Sequence, residues 1–331
     1  MFEACVSARG WLAKLPRYAL VMLAACATLP VAARNNNVYV ANGGAGTVSI
    51  IDTATNTVSA TIPTGAFPAS IAVSPDGRTV YVGNFNGRTL SVIDAATNAV
   101  TANIPVGQGA FQGPGAVVVS PNGANVYVAN TNASTVYVFD ATSHATLATI
   151  SVGSLPDSFA VAPDGSRIYT GNLGDNSVSV IDTATNTLVA TIPVDGMPYA
   201  LAMGPLGARL YVTNYETNQV SVIDTSTNAV VSTLAAGSGP IGAAVSPIGI
   251  PLYVANYDDD TVSVINPFTR RVIATVATGD GPSAIAVTRH GTRAYVANAE
   301  AGTVSVMNLL TNKIIATVPA GRGATAIAVQ P

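Results

Sequence analysis

The sequence contains few of the side chains that most often carry redox or metal chemistry. Its 331 residues include two cysteines, two histidines and one tryptophan. Haem and copper sites need converging His, Met or Cys ligands, and the sequence does not supply such a set. A Gly-rich phosphate loop, a Ser-His-Asp set and a histidine pair at metal-binding spacing are also absent from it.

Charge is scarce as well. Asp, Glu, Lys and Arg make up 9% of the residues, well below the usual share, and the net charge is −3. No basic domain stands out, so a nucleic-acid-binding protein is not predicted. The chain is instead rich in Thr, Val, Ala, Asn and Gly, which favours an all-β fold. At this length it must divide into domains or grow by repetition.

The apolar run at the N-terminus is short. Arg9, Lys14 and Arg17 precede the apolar residues 18–29. That run is shorter than the ~20 apolar residues that a membrane-spanning helix needs, so no transmembrane span is predicted. A positive region followed by an apolar one is typical of an export signal.

Two kinds of export signal fit this segment, and the sequence leaves both open. Residues 1–33 form a signal peptide if the cut falls after Val31-Ala32-Ala33. Alternatively, Leu23-Ala24-Ala25-Cys26 resembles a bacterial lipobox, with residues 1–25 removed and Cys26 lipidated. Both interpretations predict an exported protein that is periplasmic, on the cell surface or secreted. Neither leaves a disulfide, because the other cysteine, Cys5, is removed.

The dominant feature of the sequence is a repeated tetrapeptide, Tyr-Val-x-Asn with one variant. Successive copies are 42 residues apart, except for one spacing of 46. The seven copies begin at Tyr39, Tyr81, Tyr127, Tyr169, Tyr211, Tyr253 and Tyr295. Repeats of this period are typical of solenoids and propellers.

Each repeat predicts four short strands, which we name A to D. In one unit these are residues 198–203, 209–213, 219–223 and 229–234, with Gly, Pro, Asn and Asp between them. Seven such units predict one all-β domain over residues 34–331, a seven-bladed β-propeller with four antiparallel strands per blade.

The two ends of the domain are predicted to meet. The first strand of the mature chain is Val38 to Ala41, and the last is Ala324 to Val329. We expect the C-terminal strand to pair with the first blade and so to close the ring.

Two repeated polar residues are predicted to be structural. An Asn ends each strand B and is expected to bond to backbone in the following turn. An Asp ends strand C in five units and is expected to cap the next turn; these are Asp52, Asp94, Asp140, Asp182 and Asp224.

The repeats resemble a known family. The Tyr-Val-x-Asn units, the Ser-Pro-Asp-Gly turn at residues 74–77 and the segment Thr47 to Asp52 look like the YVTN-family β-propeller repeat. The resemblance covers residues 38–330 and implies an exported, surface-layer-like envelope protein. It implies no single activity, because related propellers include lactonases, streptogramin lyases and the d1-haem domain of nitrite reductase.

The strand order predicts two faces of different charge. The D–A and B–C loops share one face, named the top, and the A–B and C–D turns share the bottom. Top loops hold nine acids and two cations, against seven acids and nine cations at the bottom. The top acids are Asp157, Asp175, Asp195, Glu216, Asp258, Asp259, Asp260, Asp280 and Glu300. Both histidines fall at the bottom, so a lyase base at the top is not predicted.

Aromatic side chains and the one insertion also collect in top loops, where binding function usually sits. We predict a ligand site near the mouth of the channel, in which rings stack on an apolar or sugar face and carboxylates contact cations or hydroxyls. Its candidate residues are Phe85, Phe111, Asp157, Asp195, Tyr199, Tyr215, Tyr257, Asp258 and Asp260. The alternative is a set of ordinary solvated loops whose rings pack locally.

Two charged clusters each have a functional and a structural interpretation. Asp258, Asp259 and Asp260 could supply oxygen ligands to Ca²⁺, or form a solvated charge run, since they lack the spacing and glycine of an EF-hand loop. No other cofactor is predicted. The second cluster, at the bottom, could favour an anionic polymer or membrane surface, or form a solvated rim; it comprises Arg270, Arg271, Arg289, His290, Arg293 and Lys313.

Two functions therefore remain open. The first is a non-catalytic binding or structural propeller of the cell envelope, which presents its top face to a ligand, a glycan surface or an envelope protein. The second is a divalent-metal-assisted hydrolase or lactonase that uses Asp157, Asp195 and strand-end Asn residues at the top of the channel. We expect a monomer without nucleic-acid partners.

Overall fold

The computed structural model describes residues 37–107 and 113–331. The predicted export signal, Cys26 and Phe111 lie outside the described residues. The described residues form 28 β-strands in seven four-stranded sheets and one 3-10 turn, Thr131–Ala133. No helix in these two ranges is long and apolar enough to span a membrane.

The first four blades contain the first fifteen strands together with the last strand of the chain. Blade 1 comprises β1 (Asn37–Asn42), β2 (Thr47–Asp52), β3 (Thr57–Pro63) and β28 (Ala324–Val329). Blade 2 comprises β4 (Pro68–Val73), β5 (Thr79–Asn84), β6 (Thr89–Asp94) and β7 (Ala99–Pro105). Blade 3 comprises β8 (Pro114–Val119), β9 (Asn125–Asn130), β10 (Thr135–Asp140) and β11 (Thr146–Ser151). Blade 4 comprises β12 (Pro156–Val161), β13 (Arg167–Asn172), β14 (Ser177–Asp182) and β15 (Thr187–Pro193).

The remaining three blades follow in chain order. Blade 5 comprises β16 (Pro198–Met203), β17 (Arg209–Asn214), β18 (Gln219–Asp224) and β19 (Ala229–Ala235). Blade 6 comprises β20 (Pro240–Val245), β21 (Leu252–Asn256), β22 (Thr261–Asn266) and β23 (Arg271–Ala277). Blade 7 comprises β24 (Pro282–Val287), β25 (Arg293–Asn298), β26 (Thr303–Asn308) and β27 (Lys313–Pro319).

The C-terminal strand closes the ring. β28 pairs antiparallel with β1, with Val38 opposite Val329 and Ala41 opposite Ala326. This pairing confirms the predicted closure and the predicted seven-bladed, all-β fold. The innermost strand of each blade contacts the innermost strands of its two neighbours, so these seven strands surround the central channel.

Apolar side chains fill the space between neighbouring blades. Val38, Val40 and Ile51 of blade 1 pack with Tyr295 and Val306 of blade 7, and all five are fully buried. Burial of a Val or Ile side chain stabilises a fold by roughly 1.5–3 kcal/mol. Similar clusters lie between the other blades, so the repeated apolar residues hold the ring together.

The repeated Asp caps a turn, as predicted. Asp52 Oδ1 accepts hydrogen bonds from the backbone amides of Ala54 and Thr55, at 2.7 and 3.0 Å. These bonds lower the pKa of Asp52, because they favour the ionised carboxylate. The turn between strands C and D is therefore fixed by the last residue of strand C.

The repeated Asn has a different set of partners from the one predicted. Asn84 is fully buried, and its Nδ2 donates to the hydroxyls of Thr89 and Ser91 on strand C, at 3.0 and 2.8 Å. Its Oδ1 accepts from the backbone amide of Gly65 at 3.0 Å. Backbone bonding was predicted, but it accounts only for the Oδ1 atom. The Nδ2 atom donates instead to hydroxyl groups on strand C, five and seven residues further along the chain.

Candidate functional site

The mouth of the channel at the top is lined by one residue from every blade. It is the second residue of the innermost strand, next to a proline in six blades and to Ala324 in blade 1. The seven residues are Ala69, Gly115, Asp157, Tyr199, Ile241, Ser283 and Thr325. With nearby loop residues they line a cavity of about 640 Å³, which we name the mouth. Its size is typical of small-molecule sites.

Loop residues form a second tier around the mouth. Phe67 directly precedes β4 and is partly exposed. Phe85, Tyr215, Tyr257 and Ala299 each directly follow the Asn that ends strand B. Among the described residues that line the mouth, none is Lys, Arg or His. The lining is therefore aromatic and weakly acidic.

Asp157 supplies the carboxylate of the mouth. It is partly buried, and its Oδ1 accepts a hydrogen bond from the Thr131 hydroxyl at 3.3 Å. Burial raises the pKa of Asp157 to about 7, and the bond from Thr131 opposes that shift. Asp157 therefore exchanges its proton near neutral pH. Such a perturbed group in a cleft is a candidate functional residue.

Gly115, on the neighbouring blade, leaves room for this pair. A Cβ atom at that position would lie 2.2 Å from both Asp157 Oδ1 and Thr131 Oγ1. A side chain there would displace the carboxylate or the hydroxyl. The missing side chain on blade 3 is thus part of how the Asp157 carboxylate is held.

Two tyrosines of blade 5 stand beside Asp157. The ring centroids of Tyr199 and Tyr215 are 5.7 Å apart, and the rings are tilted by 54°. Burial, followed by the charge of Asp157, raises the pKa of Tyr199. The Tyr215 hydroxyl lies 3.5 Å from Asp258 Oδ1, and the Asp258 charge raises the pKa of Tyr215. Both phenols are therefore neutral at physiological pH.

A third tyrosine, Tyr257, lies on blade 6, next to the two tyrosines of blade 5 along the ring. Its hydroxyl donates to Glu300 Oε1 at 2.8 Å, and this hydrogen bond raises the pKa of Tyr257 to about 12. The hydroxyls of Tyr215 and Tyr257 thus each contact a carboxylate of the next blade. These contacts orient the two rings at the rim of the mouth.

The opposite side of the mouth carries smaller residues. The Ser283 hydroxyl donates to the Ala324 carbonyl at 2.8 Å, and the Thr325 hydroxyl donates to the Pro68 carbonyl at 2.8 Å. Each bond joins one innermost strand to the next. These two hydroxyls therefore hold blades together, whereas the carboxylate and tyrosines lie on blades 4 to 6.

The structure brings together part of the predicted site. The predicted residues that line the mouth are Phe85, Asp157, Tyr199, Tyr215 and Tyr257. Asp258 lies at the rim beside Tyr215. Asp195 is exposed and is not part of the lining. Phe111 lies outside the described residues, so its place relative to the mouth stays a prediction.

The three consecutive aspartates have three different partners. Asp258 lies beside the Tyr215 hydroxyl, Asp259 Oδ2 accepts from the Ser238 amide at 2.6 Å, and Asp260 Oδ1 accepts from the Gly281 amide at 2.8 Å. In residues 37–107 and 113–331, no group of three or more His, Cys, Asp or Glu side chains could hold a metal ion. The Ca²⁺ interpretation of Asp258, Asp259 and Asp260 stays a prediction.

Sequence reasoning missed several residues of the mouth. Gly115, Ile241, Ser283 and Thr325 have neither a ring nor a carboxylate, and the prediction selected only side chains of those two kinds. A signal for them exists, since the residue after the strand-A proline differs in every blade while its neighbours are repeated. Thr131 has no such signal, because its importance comes from contact with a neighbouring blade.

The fold and its mouth place the chain in the class of seven-bladed β-propellers. A family model for a YNCE-like beta-propeller matches residues 4–109, and one for Lactonase, 7-bladed beta-propeller, matches residues 93–192. Each match covers less than half of the chain, and the first begins inside the predicted export signal. Both matches support a relationship to propeller families, and the YVTN assignment stays a prediction.

Solved structures agree with this fold. A functionally unknown protein from Desulfotomaculum acetoxidans DSM 771 is 18% identical, with a TM-score of 0.76 over 89% of this chain and 98% of that one. The hydrazine synthase of Kuenenia stuttgartiensis is 22% identical, with a TM-score of 0.54 over 73% of this chain and 95% of that one. At such identities the likeness shows the fold alone. No curated protein matched the sequence significantly.

Proposed function

We propose that this protein is a non-catalytic binding propeller that holds a small organic cation in the mouth. The lining carries the proposal, because it combines five aromatic rings and one carboxylate with no Lys, Arg or His among its described residues. Faces of aromatic rings attract cations, and aromatic cages are a common way to bind quaternary ammonium groups. The Asp157 carboxylate adds a charge of opposite sign.

Asp157 binds the cation in its ionised form, so affinity depends on pH. Because the pKa of Asp157 is about 7 without ligand, affinity rises as pH increases through about 7 and then levels off. Tyr199 on β16 is the titratable group that faces Asp157, and it stays neutral because its pKa is raised. Gly115 on β8 and Thr131 in the 3-10 turn contribute no charge.

Calorimetry with choline and its neutral carbon isostere tests this proposal. We expect choline to bind, the isostere to bind far more weakly, and Asp157→Asn to weaken choline binding about tenfold at alkaline pH. Asp195→Asn is the matched control, because Asp195 is an exposed acid outside the lining. Equal affinity for choline and the isostere would contradict the proposal, as would no binding of choline or of other organic amines.

We further propose that the protein is exported and acts in the cell envelope. The order of positive and apolar residues in 9–29 supports this. A glycan surface or an envelope protein as a partner of the top face stays a prediction. Mass spectrometry of the native N-terminus distinguishes a cut before Arg34 from a lipidated Cys26, and an intact leader in the native protein would contradict both.

The family match over residues 93–192 favours a second candidate function, a metal-assisted lactonase. That segment includes Asp157, the carboxylate in the mouth. Among the described residues no three His, Cys, Asp or Glu side chains converge in a way that could hold a metal ion, so we derive no catalytic step. Lactone hydrolysis that requires added Ca²⁺ or Mn²⁺ and is lost in Asp157→Ala would support the hydrolase in place of the binding protein.

A further inference from the structure

The bottom face departs from the repeat in one sector, beginning with the A–B turns. The tip residue of this turn, between Pro and Gly, is Asp76, Asn122 and Asp164 in blades 2 to 4. Blades 5 and 6 have Leu206 and Ile248 at the same position, with 93% and 84% of their surface exposed. Two large apolar side chains therefore stand in water where the other blades place polar ones.

The C–D turns show the same change in adjoining blades. Two residues after the end of strand C, blades 1 to 5 carry a small residue: Ala54, Ala96, Thr142, Ala184 and Ser226. Blades 6 and 7 carry Phe268 and Leu310 there, which are 75% and 91% exposed. These four apolar residues are the most exposed large hydrophobic side chains among the described residues.

Charge changes in the same sector. The described acids of the bottom all lie in blades 1 to 5, and Asn266 and Asn308 replace the turn aspartate in blades 6 and 7. Four exposed cations occupy the bottom of blades 6 and 7: Arg270, Arg271, Arg289 and Lys313. Arg293 is partly buried and donates to the Thr53 carbonyl of blade 1, so it belongs to the blade junction.

The altered turns adjoin one another. A Cβ atom at Gly249 in the blade 6 turn would lie 3.6 Å from Pro205 in the blade 5 turn, and one at Gly291 would lie 3.2 Å from Pro247. Within blade 7, the Leu309 amide donates to the Thr292 carbonyl at 3.1 Å and joins its two turns. We name this surface the basic-apolar face; it comprises Leu206, Ile248, Phe268, Leu310, Arg270, Arg271, Arg289 and Lys313.

The apolar tips do not serve the stability of the turns. In blade 2, Asp76 Oδ1 accepts bonds from the Ser74 hydroxyl and the Arg78 amide, at 2.6 and 3.1 Å. Leu206 and Ile248 cannot accept such bonds, and their exposed side chains gain little from packing. Exposed apolar groups next to polar ones are typical of an interaction surface.

We propose that the basic-apolar face docks the protein onto a bilayer of anionic lipids, with the four apolar tips inserted among the head groups. Four separate exposed tips suit a lipid surface, which has no fixed pockets, whereas a protein partner would need a pocket for each tip. Peripheral membrane segments combine apolar side chains with Lys and Arg. Blades 6 and 7 carry both, whereas Leu206 on blade 5 lies near Asp164 and Arg167. Each cation near an anionic surface raises binding by roughly fivefold.

Docking by this face directs the mouth away from the lipid, because the two lie at opposite ends of the blades. It also agrees with where the chain enters the propeller. Asn37, the first residue of β1, lies opposite Asp52 at the bottom end of blade 1, next to blade 7. The described chain therefore begins on the face that we propose to dock.

Vesicle sedimentation tests the proposal with residues 34–331, which include every described residue, so that neither the apolar run 18–29 nor a lipid anchor contributes. We expect binding to phosphatidylglycerol-rich vesicles and little binding to pure phosphatidylcholine. A charge variant with Arg270→Asn, Arg271→Thr and Lys313→Thr should bind on the order of 100-fold more weakly. These replacements are residues that other blades carry at the same positions, and melting curves check that each variant is folded.

A second variant tests insertion. Phe268→Ala with Leu310→Ala should weaken binding about tenfold, including at high salt, where charge attraction is screened. Phe268→Trp should give a blue-shifted emission with vesicles, measured against the parent chain, whereas Ala54→Trp at the same turn position of blade 1 should not. Three results would overturn the proposal. They are unchanged vesicle binding in Phe268→Ala with Leu310→Ala, binding to polyglutamate without binding to vesicles, and no vesicle binding at all.

Discussion

Two rings of residues lie side by side at the top ends of the strands. One has the same residue in every blade, and the other has a different residue in each. One ring is the Asn that ends strand B, which is present in all seven blades: Asn42, Asn84, Asn130, Asn172, Asn214, Asn256 and Asn298. The other ring is the lining of the mouth, where seven blades carry seven different residues. Equivalent positions thus carry the same residue where the side chain bonds within its own blade in most blades. They carry different residues where the side chain faces the cavity.

Six members of the Asn ring make the same hydrogen bond, and the side chain of the seventh, Asn130, makes none within the described part of the chain. All seven are fully buried, and six donate from Nδ2 to a serine seven residues later, at 2.8 to 3.0 Å. Blade 3 is the exception among the described residues, because Tyr137 stands where the others have serine. A side chain that satisfies buried polar groups cannot change without a change in its partners.

The largest expected effect on stability comes from replacing one member of the Asn ring. Asn256 joins the Thr261 and Ser263 hydroxyls to the Gly237 amide, at 3.0, 2.9 and 3.1 Å. Asn256→Ala leaves these groups buried without a partner, so it should lower the free energy of unfolding by about 3 kcal/mol. Urea denaturation measures this. Ile241→Thr in the mouth ring of the same blade is the control; an equal loss there would refute the contrast between the rings.

The second prediction uses the titration of Asp157. The folded protein keeps this proton up to about pH 7, whereas the unfolded chain releases it near the ordinary value of 3.8. The unfolded state therefore binds fewer protons in this window, and stability falls as pH rises through it. Asp157→Asn removes the titration, so the variant should gain about 2 kcal/mol over the parent above neutral pH, with the gain reduced by partial solvation.

Melting temperatures across the pH range measure this gain. The difference between Asp157→Asn and the parent should be small near pH 4 and grow until about pH 7. A constant difference would show that Asp157 has an ordinary pKa. Asp195→Asn, at an exposed acid, should follow the parent at every pH. Asp157→Asn should therefore raise stability and weaken binding, as expected where a functional residue is kept at a cost in stability.

The same contrast explains how much could be predicted from the sequence. The regular spacing of Tyr-Val-x-Asn fixes the strand positions, the blade number and the pairing of β28 with β1, because each unit repeats one arrangement. The spacing also assigns each loop to a face. Asp157, Tyr199 and Tyr257 were therefore predicted at the top, and all three line the mouth.

The remaining features depend on contacts between blades, which spacing does not encode. Asp195 and Asp157 were both assigned to the top, but Asp195 is exposed outside the lining and Asp157 lies within an innermost strand that faces the mouth. The pKa of Asp157 depends on its burial and on the Thr131 hydroxyl of blade 3. A prediction of side-chain contacts across blades needs the twist and tilt of the strands, and a repeat period gives neither.

The third prediction tests the cross-blade contact directly. Gly115→Ala places a Cβ atom within 2.2 Å of both Asp157 Oδ1 and Thr131 Oγ1, so these two side chains must separate. We expect a loss of about 1 kcal/mol in stability, and weaker choline binding, because their hydrogen bond is removed. Blade 2 already carries Ala69 at this position, so the strand itself accepts alanine. Unchanged stability and unchanged binding would show that the pair does not position the Asp157 carboxylate.

The smallest expected effect concerns another position where the blades differ, the tip of the A–B turn. Leu206→Asp introduces a carboxylate that can accept from the Ala208 amide, as Asn122 does from Ala124 at 3.0 Å in blade 3. Stability should change by less than about 0.5 kcal/mol, because the leucine is exposed and the new bond is at the surface. The reverse change, Asp164→Leu, loses two bonds to Ser166 and should destabilise more. Thermal melting compares the two variants. If Leu206→Asp lowers stability more than Asp164→Leu does, the leucine is needed by the fold. Its presence in place of a polar residue would then be explained by stability.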